Sequence, residues 1–341
     1  MRSFSRSPLA APAARRLPFV ASALAVAAAL VACKAPAPAG KSDHAAPGFG
    51  TAGAAGKPTA ILDKTDRNKG AGAAGAAGAP GAGGSGPATN NGGGGKGKAR
   101  SVHLAMGIPT DGDDSDDYLL VKPQYALSYN KKLNDPNWVS SNLDASYFGD
   151  APRFSGQFMP DPSLPDGFYR VRHADYTGSG YDRGHMVRSE ERTRNDADNE
   201  STFFTDNLLP QYHDLNAGPW LKLEMYCQKL AQKQNKELYI VAGGIFPAKP
   251  ETIGKGVAVP TSTYKIVVVL DRNQSVENVT ESTRVIAVSM PNKKGILSEG
   301  WGQYRTTVAE LEKATRYNFL PDVPERIQRV IEARADTGPT D

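Results

Sequence analysis

Hydrophobic and polar residues alternate through several short segments of the chain after about residue 101. The segments YLLVKPQYALSYN and NWVSSNL show the alternation that is typical of antiparallel strands. The segments ELYIVAGGIF, TYKIVVVL and RVIAVSM are rich in β-branched residues, and they predict three more strands.

Helical periodicity is found in three other segments, NAGPWLKLEMYCQKLAQKQNK, TTVAELEKATRY and PERIQRVIEARA. In the first of these, Pro219 suits the first turn of a helix. Strands and helices are interspersed without a regular βαβ repeat, which indicates a mixed fold. We therefore predict one α+β domain over residues 101–341, in which helices pack on a largely antiparallel central sheet.

The first 33 residues have the pattern of a secretory signal. Four arginines precede the apolar run LPFVASALAVAAALVA, which ends immediately before Cys33. The sequence LVAC fits a lipobox, in which the signal is cut before the cysteine and the cysteine thiol is acylated. A plain signal peptide that contains Cys33 by chance is the alternative. Since lysine follows the cysteine, we expect a lipid anchor in the cell envelope, at the outer membrane or cell surface and outside the cytoplasm.

Residues 34–100 consist mostly of alanine, glycine, proline and serine. Such a composition cannot bury enough apolar surface to offset the entropy of ordering. We predict a disordered tether with a root-mean-square reach of about 45 Å. That reach would hold a folded domain clear of a lipid surface.

The net charge of the whole chain, +4, conceals two parts of opposite charge. Residues 101–341 contain 27 basic and 33 acidic side chains, a net charge of −6, and the excess of basic residues lies before them. The predicted domain is therefore acidic, and its overall charge does not favour nucleic-acid binding. Any such function has to depend on a local site.

Candidate chemistry begins at the strand-like segment YRVRHADYTGSGYDRGHMV, in which a strand, a glycine-rich turn and a second strand are predicted. It contains His185, after which Asn207, Asn216 and Glu224 follow at 22, 31 and 39 residues. Histidine can accept a proton from water near neutral pH, and asparagine oxygens suit Mg²⁺, which needs few protein ligands. Upstream, Arg153 is the candidate cation for a phosphate.

These motifs resemble the DNA/RNA non-specific endonuclease family, the ββα-metal nucleases that include mitochondrial endonuclease G. The resemblance is carried in order by DRGH, DNLLPQ, LN with a following tryptophan, and LE, and it extends over nearly everything after residue 101. It implies a ββα-metal motif within the α+β fold. It also implies metal-dependent hydrolysis of DNA and RNA phosphodiester bonds with little sequence preference.

The resemblance also implies a role for each matched residue. His185 resembles the general base that activates the attacking water. Asn216 resembles the direct protein ligand of one Mg²⁺ ion, for which Mn²⁺ is an alternative, and Glu224 resembles the residue that orients the water ligands of that ion. Arg153 resembles the arginine that binds the substrate phosphate, and Asn207 an asparagine that supports the geometry of histidine and substrate.

Some basic and amide residues around His185 admit two interpretations. Arg188, Arg192 and Arg194 either follow a phosphate backbone or are simply solvated, and the first two are candidates for phosphate binding. Asn216 by its residue type could also cap the helix that follows.

Four other residues near the motifs are expected to have no chemical role. Asp182 and Arg183 are interpreted as local scaffolding. His213 is interpreted as a loop residue, because no cysteine or second histidine stands at zinc-ligand spacing. Cys227 is interpreted as a buried helix residue.

The sequence leaves three functions open. The first is an envelope-tethered nuclease that acts on DNA and RNA. The second is a surface lipoprotein that captures nucleic acid without turnover, and the third is hydrolysis of another phosphodiester. Whether the domain forms a homodimer, and whether an inhibitor protein binds it, are open as well.

Overall fold

A six-stranded sheet lies at the centre of residues 101–341, the part of the chain that the computed structural model describes. The strands of this part, in chain order, are β1 Tyr118–Val121, β2 Ala126–Asn130, β3 Asp135–Leu143, β4 Asp182–His185, β5 Leu208–Gln211, β6 Lys236–Ile245, β7 Thr252–Ile253, β8 Val257–Ala258, β9 Ser262–Asp271 and β10 Arg284–Pro291. The central sheet has the order β1-β2-β3-β6-β9-β10, and all its neighbouring strands are antiparallel. The predicted α+β class with a largely antiparallel sheet is confirmed. The predictions for residues 1–33, for residues 34–100 and for Cys33 lie outside the described residues.

Six α-helices accompany these strands within residues 101–341. They are α1 His173–Tyr176, α2 Asp196–Ser201, α3 His213–Leu215, α4 Leu221–Lys233, α5 Val308–Thr315 and α6 Glu325–Ile331. None of the helices in this part is long and apolar enough to span a membrane.

Both faces of the central sheet are covered, which explains why its middle strands are almost continuously apolar. Along β6, Leu238 and Ile240 point into the core on one face, whereas Tyr239 and Val241 point into the core on the other. Helix α4 packs on the first face, and α5 and α6 pack on the second. Cys227 lies fully buried in α4, as predicted.

Strands β4 and β5 form a separate two-stranded antiparallel ladder, in which Asp182 pairs with Gln211 and His185 pairs with Leu208. The ladder requires a glycine between those two pairs, because a Cβ atom at Gly184 would collide with the side chain of Gln211. Helices α3 and α4 follow β5 directly along the chain, so the two strands and the helical segment form the predicted ββα arrangement.

The strand predicted before the glycine-rich turn is wrong, because that part of the chain forms the short helix α1. Its first turn is closed by Asp175, whose Oδ2 accepts a hydrogen bond from the backbone N–H of Arg172 at 2.8 Å. The Tyr169 hydroxyl donates to the same carboxylate. Local side-chain capping therefore outweighs the alternation of apolar and polar residues.

Candidate active site

The chain that leaves β4 after His185 is held by the buried side chain of Asn207. Its Oδ1 accepts a hydrogen bond from the N–H of Val187 at 2.9 Å, and its Nδ2 donates to the carbonyls of Val187 and Thr202 at 2.9 Å each. Its own carbonyl accepts from the N–H of Met186. Since Asn207 is fully buried and its amide is occupied by backbone partners, it positions the histidine segment and does not face a substrate.

His185 lies between two aromatic rings, with ring centroids 5.3 Å from Phe158 and 5.4 Å from Phe203. Its Nε2 is buried and has no hydrogen-bond partner among the described residues. Burial, and then the positive charge of Arg153, lower the pKa of His185 to about 3. The imidazole is therefore neutral at pH 7, which is the protonation state that a general base needs before it acts.

Asn216 begins a kinked helical segment, Asn216–Trp220, between α3 and α4. Its Nδ2 donates to Asp182 Oδ2 at 3.1 Å, and the same oxygen lies 2.9 Å from His213 Nδ1. No donor among the described residues contacts Asn216 Oδ1, so this oxygen is available to a ligand. The interpretation of Asn216 as a helix cap is wrong: α4 is preceded by Trp220, and Asn216 directs its amide to Asp182.

The kink after Asn216 depends on close packing against the loop that precedes residue 300. A Cβ atom at Gly218 would lie 2.9 Å from the Cα of Leu297. From the first turn of α4, Lys222 Nζ donates to the carbonyls of Leu297 and Glu299 at 3.2 and 2.7 Å. The backbone that presents Asn216 is thus fixed by a distant segment of the chain.

Glu224 lies in the first turn of α4 and is only 4% exposed. Its Oε1 is 3.4 Å from Lys265 Nζ, and its Oε2 is 3.9 Å from Arg188 Nε. Burial raises the pKa of Glu224 to about 7, although the charge of Lys265 acts in the opposite direction. The carboxylate depends on its two cations to remain ionised inside the protein.

Lys265 belongs to this site but was not predicted from the sequence. It is 1% exposed on β9, and its Nζ lies 4.2 Å from the ring centroid of Trp220. The available signal was a lysine within the otherwise apolar segment TYKIVVVL. A charged side chain in such a strand has to find a buried partner, and here the partner is Glu224.

Two arginines stand beside His185. Arg153 Nη1 contacts Ser189 Oγ and lies 3.0 Å from Glu190 Oε1, and its guanidinium is 5.0 Å from the ring of Phe203. Arg188 Nε lies 2.8 Å from the other oxygen of Glu190. Both arginines are therefore placed where a phosphate that approaches His185 can meet positive charge.

The prediction that Arg192 binds a substrate phosphate is wrong. The residue is fully buried, and its guanidinium donates to the carbonyls of Gln124, Glu191 and Asn142 at 2.8 to 3.0 Å. With its N–H groups directed to the backbone, it fastens the segment after His185 to the central sheet. A substrate phosphate cannot reach it.

The predicted magnesium site is tested by the donors that surround Asn216. No group of three or more His, Cys, Asp or Glu side chains within residues 101–341 could hold a metal ion. The predicted ligand is of another kind, a single amide oxygen supported by a carboxylate that acts through water. The orientation of the Asn216 amide by Asp182 fits a direct ligand of such an ion, whereas the Glu224 oxygens contact Lys265 and Arg188.

Known proteins resemble the part of the chain that contains these residues. The model of the DNA/RNA non-specific endonuclease family matches residues 102–326. A nuclease from Nostoc sp. is 46% identical over 241 residues, which cover 69% of this chain and 86% of that protein. The human mitochondrial nuclease EXOG is 30% identical over 236 residues, which cover 65% of this chain and 61% of that protein.

A solved structure shows the same likeness in three dimensions. The crystal structure of the EndoG/EndoGI complex superposes with a TM-score of 0.57 and 26% identity, and the match covers 66% of this chain and 91% of that chain. The family match spans most of the described residues, including the ββα segment with its histidine, asparagine and glutamate. The chain therefore belongs to the DNA/RNA non-specific endonuclease family.

Proposed function

We propose that the protein is a metal-dependent, sugar-non-specific endonuclease that hydrolyses phosphodiester bonds of DNA and RNA. The observation that carries this proposal is the arrangement of Asn216, whose amide nitrogen is held by Asp182 while its oxygen is left for a ligand. The neutral His185 and the arginines beside it supply the remaining groups that phosphodiester hydrolysis needs.

In the proposed mechanism, His185 takes a proton from the water whose oxygen attacks phosphorus. As the new bond forms, the bond between phosphorus and the leaving oxygen breaks, and that oxygen takes a proton from water. Arg153 and Arg188 bind the non-bridging oxygens and offset the charge that grows on them in the transition state. Asn216 would hold Mg²⁺ or Mn²⁺ directly, and Glu224 would hold it through water. The bound ion would act as a Lewis acid on the phosphate. Because these groups address the backbone and not the base edges, weak sequence preference is expected.

The first prediction concerns His185. His185→Ala should lower the rate of plasmid and RNA cleavage by roughly 10²- to 10⁴-fold, the usual contribution of a general base, while nucleic-acid binding persists. EDTA should abolish cleavage by the wild type. The measurement is loss of supercoiled DNA by the purified protein in Mg²⁺, in Mn²⁺ and in EDTA.

Two results would contradict the proposed nuclease activity. Metal-independent binding of DNA without cleavage would favour a capture protein. Hydrolysis of a small phosphodiester, but not of DNA or RNA, would favour a different substrate. Undiminished cleavage by His185→Ala would remove this residue from the mechanism and leave the activity in place.

The second prediction concerns Asp182. Asp182→Ala should raise the Mg²⁺ concentration for half-maximal cleavage by roughly 10- to 100-fold, because the amide of Asn216 loses the partner that orients it. Asp182→Asn keeps an acceptor oxygen and should have a smaller effect. His213→Ala, which leaves the bond to Asn216 intact, is the matched control. A Mg²⁺ dependence shared by all four proteins would show that Asp182 does not position the ligand.

The third prediction concerns Lys265. Lys265→Met should destabilise the protein by about 3–5 kcal/mol, because it leaves the Glu224 carboxylate buried without its nearest cation, and cleavage should fall. Lys265→Met combined with Glu224→Gln should recover much of the stability but none of the activity. Denaturant unfolding and plasmid cleavage of the single and double variants test this. Full activity of Lys265→Met would mean that Glu224 does not need the lysine.

We also propose that the enzyme is anchored in the cell envelope through a lipid on Cys33, outside the cytoplasm. The support is the lipobox LVAC after a charged and apolar leader. Cys33→Ser should release an active nuclease from the membrane fraction and abolish labelling with a fatty-acid analogue. A mature N-terminus at another residue, without lipid, would contradict the anchor.

The proposed partners are DNA and RNA as substrates, and an inhibitor protein. The related EndoG structure was solved as a complex named for EndoG inhibition, which supports the search for an inhibitor that binds this chain.

A further inference from the structure

We propose that the carboxylate of Glu190 occupies the place of a substrate phosphate between Arg153 and Arg188, and that an incoming phosphate displaces it. This inference rests on the proposed function, since it names the group that the nucleic-acid backbone replaces. Glu190 thereby sets the affinity of the site for its substrate.

The geometry is that of an anion bridging two cations. One oxygen of Glu190 lies 3.0 Å from Arg153 Nη1, and the other lies 2.8 Å from Arg188 Nε. The hydroxyl of Ser189 donates to the second oxygen at 3.1 Å. A phosphate offers the same arrangement of two acceptor oxygens to two guanidinium groups.

The bridge is accessible, unlike the other ion pairs around it. The side chain of Glu190 is 38% exposed and that of Arg153 is 51% exposed. The next residue, Glu191, is buried, as are the ion-paired Glu224 and Lys265. The contact with Arg153 is therefore open to solvent and costs little to break, whereas Arg188, at 18% exposure, is reached through the exposed carboxylate that an anion from solution would replace.

The charges of Glu190 and the two arginines also favour replacement of the carboxylate by a phosphate. Burial acts to raise the pKa of Glu190, but Arg188 and Arg153 lower it below the usual glutamate value, so the group is anionic at neutral pH. It thus cancels one of the two positive charges that a phosphate would meet next to His185. With the carboxylate displaced, both arginines face the substrate.

Direct binding measurements separate this exchange from a merely structural role. In a His185→Ala background, which prevents turnover, the affinity for a short labelled DNA duplex is measured in Mg²⁺ at several salt concentrations. Addition of Glu190→Gln or of Glu190→Ala should each tighten binding by roughly three- to tenfold, because the ion pairs of Glu190 with Arg153 and Arg188 no longer compete with the phosphate. The control for overall charge is Glu325→Gln, which removes an arginine-paired carboxylate on α6 that is more exposed than Glu190 and should leave affinity unchanged.

Three outcomes overturn the proposal. Unchanged binding in both Glu190 variants would show that no displacement takes place. Weaker binding by Glu190→Ala, with Glu190→Gln at the starting affinity, would make Glu190 a support that holds the arginines in position. If Glu325→Gln tightened DNA binding by the same factor, the effect would come from the change in overall charge and not from Glu190.

Inorganic phosphate distinguishes a failure of this inference from a failure of the nuclease. Its binding is measured calorimetrically with the otherwise wild-type protein and with Glu190→Gln. If DNA does not bind but phosphate binds more tightly to Glu190→Gln, the nuclease proposal fails while the exchange stands. Equal phosphate affinity in the two proteins contradicts the exchange, whatever the protein does to DNA.

Discussion

The ion pair between Lys265 and Glu224 connects the central sheet to the catalytic segment. Lys265 comes from β9, and Glu224 comes from the first turn of α4. The lysine also lies against the ring of Trp220, whose Nε1 donates to the carbonyl of His185 at 3.1 Å. The contact of Lys265 with Trp220 and the hydrogen bond from Trp220 to His185 therefore connect the interior of the sheet to the proposed base. A buried ion pair of this kind is weak evidence for stability, because desolvation cancels much of the attraction. Its use here is to hold the Glu224 side chain in a fixed place and to favour its ionised form against the effect of burial.

The same residue type has different uses in this site, and surroundings decide between them. Arg192 is enclosed, and its guanidinium bonds to backbone carbonyls, so it can only hold the fold together. Arg153 and Arg188 both pair with the carboxylate of Glu190, so both can pair with another anion that replaces it. The two asparagines differ in the same way: the Asn207 amide is occupied by the backbone, whereas Asn216 donates to Asp182 and its oxygen has no donor within residues 101–341. Counting arginines or asparagines in a motif cannot separate these uses.

The sequence predicted the groups that the ββα segment brings together, because that segment is local. His185, Asn216 and Glu224 lie within 40 residues, and their spacing is tied to two paired strands and one helix. The segments that contain the six central strands and α4 to α6 also followed from periodicity, although β1 and β2 were predicted within one segment, YLLVKPQYALSYN. The remaining features depend on contacts between distant residues. Lys265 is 41 positions from its partner, and Arg192 bonds to a carbonyl 68 positions away. Helix α1 was missed because the hydrogen bonds of one carboxylate outweigh the pattern of its neighbours.

An acidic domain that acts on a polyanion has to overcome its own charge at short range. A net charge of −6 over residues 101–341 repels a nucleic-acid backbone, but salt screens that repulsion beyond about 8 Å at physiological ionic strength. Within that distance, the substrate meets two arginines, a neutral histidine and the oxygen set that would hold a divalent ion. None of these groups needs to contact the edge of a base. The weak sequence preference that we propose would follow from how few groups the site offers, all of them suited to the phosphate that every nucleotide shares.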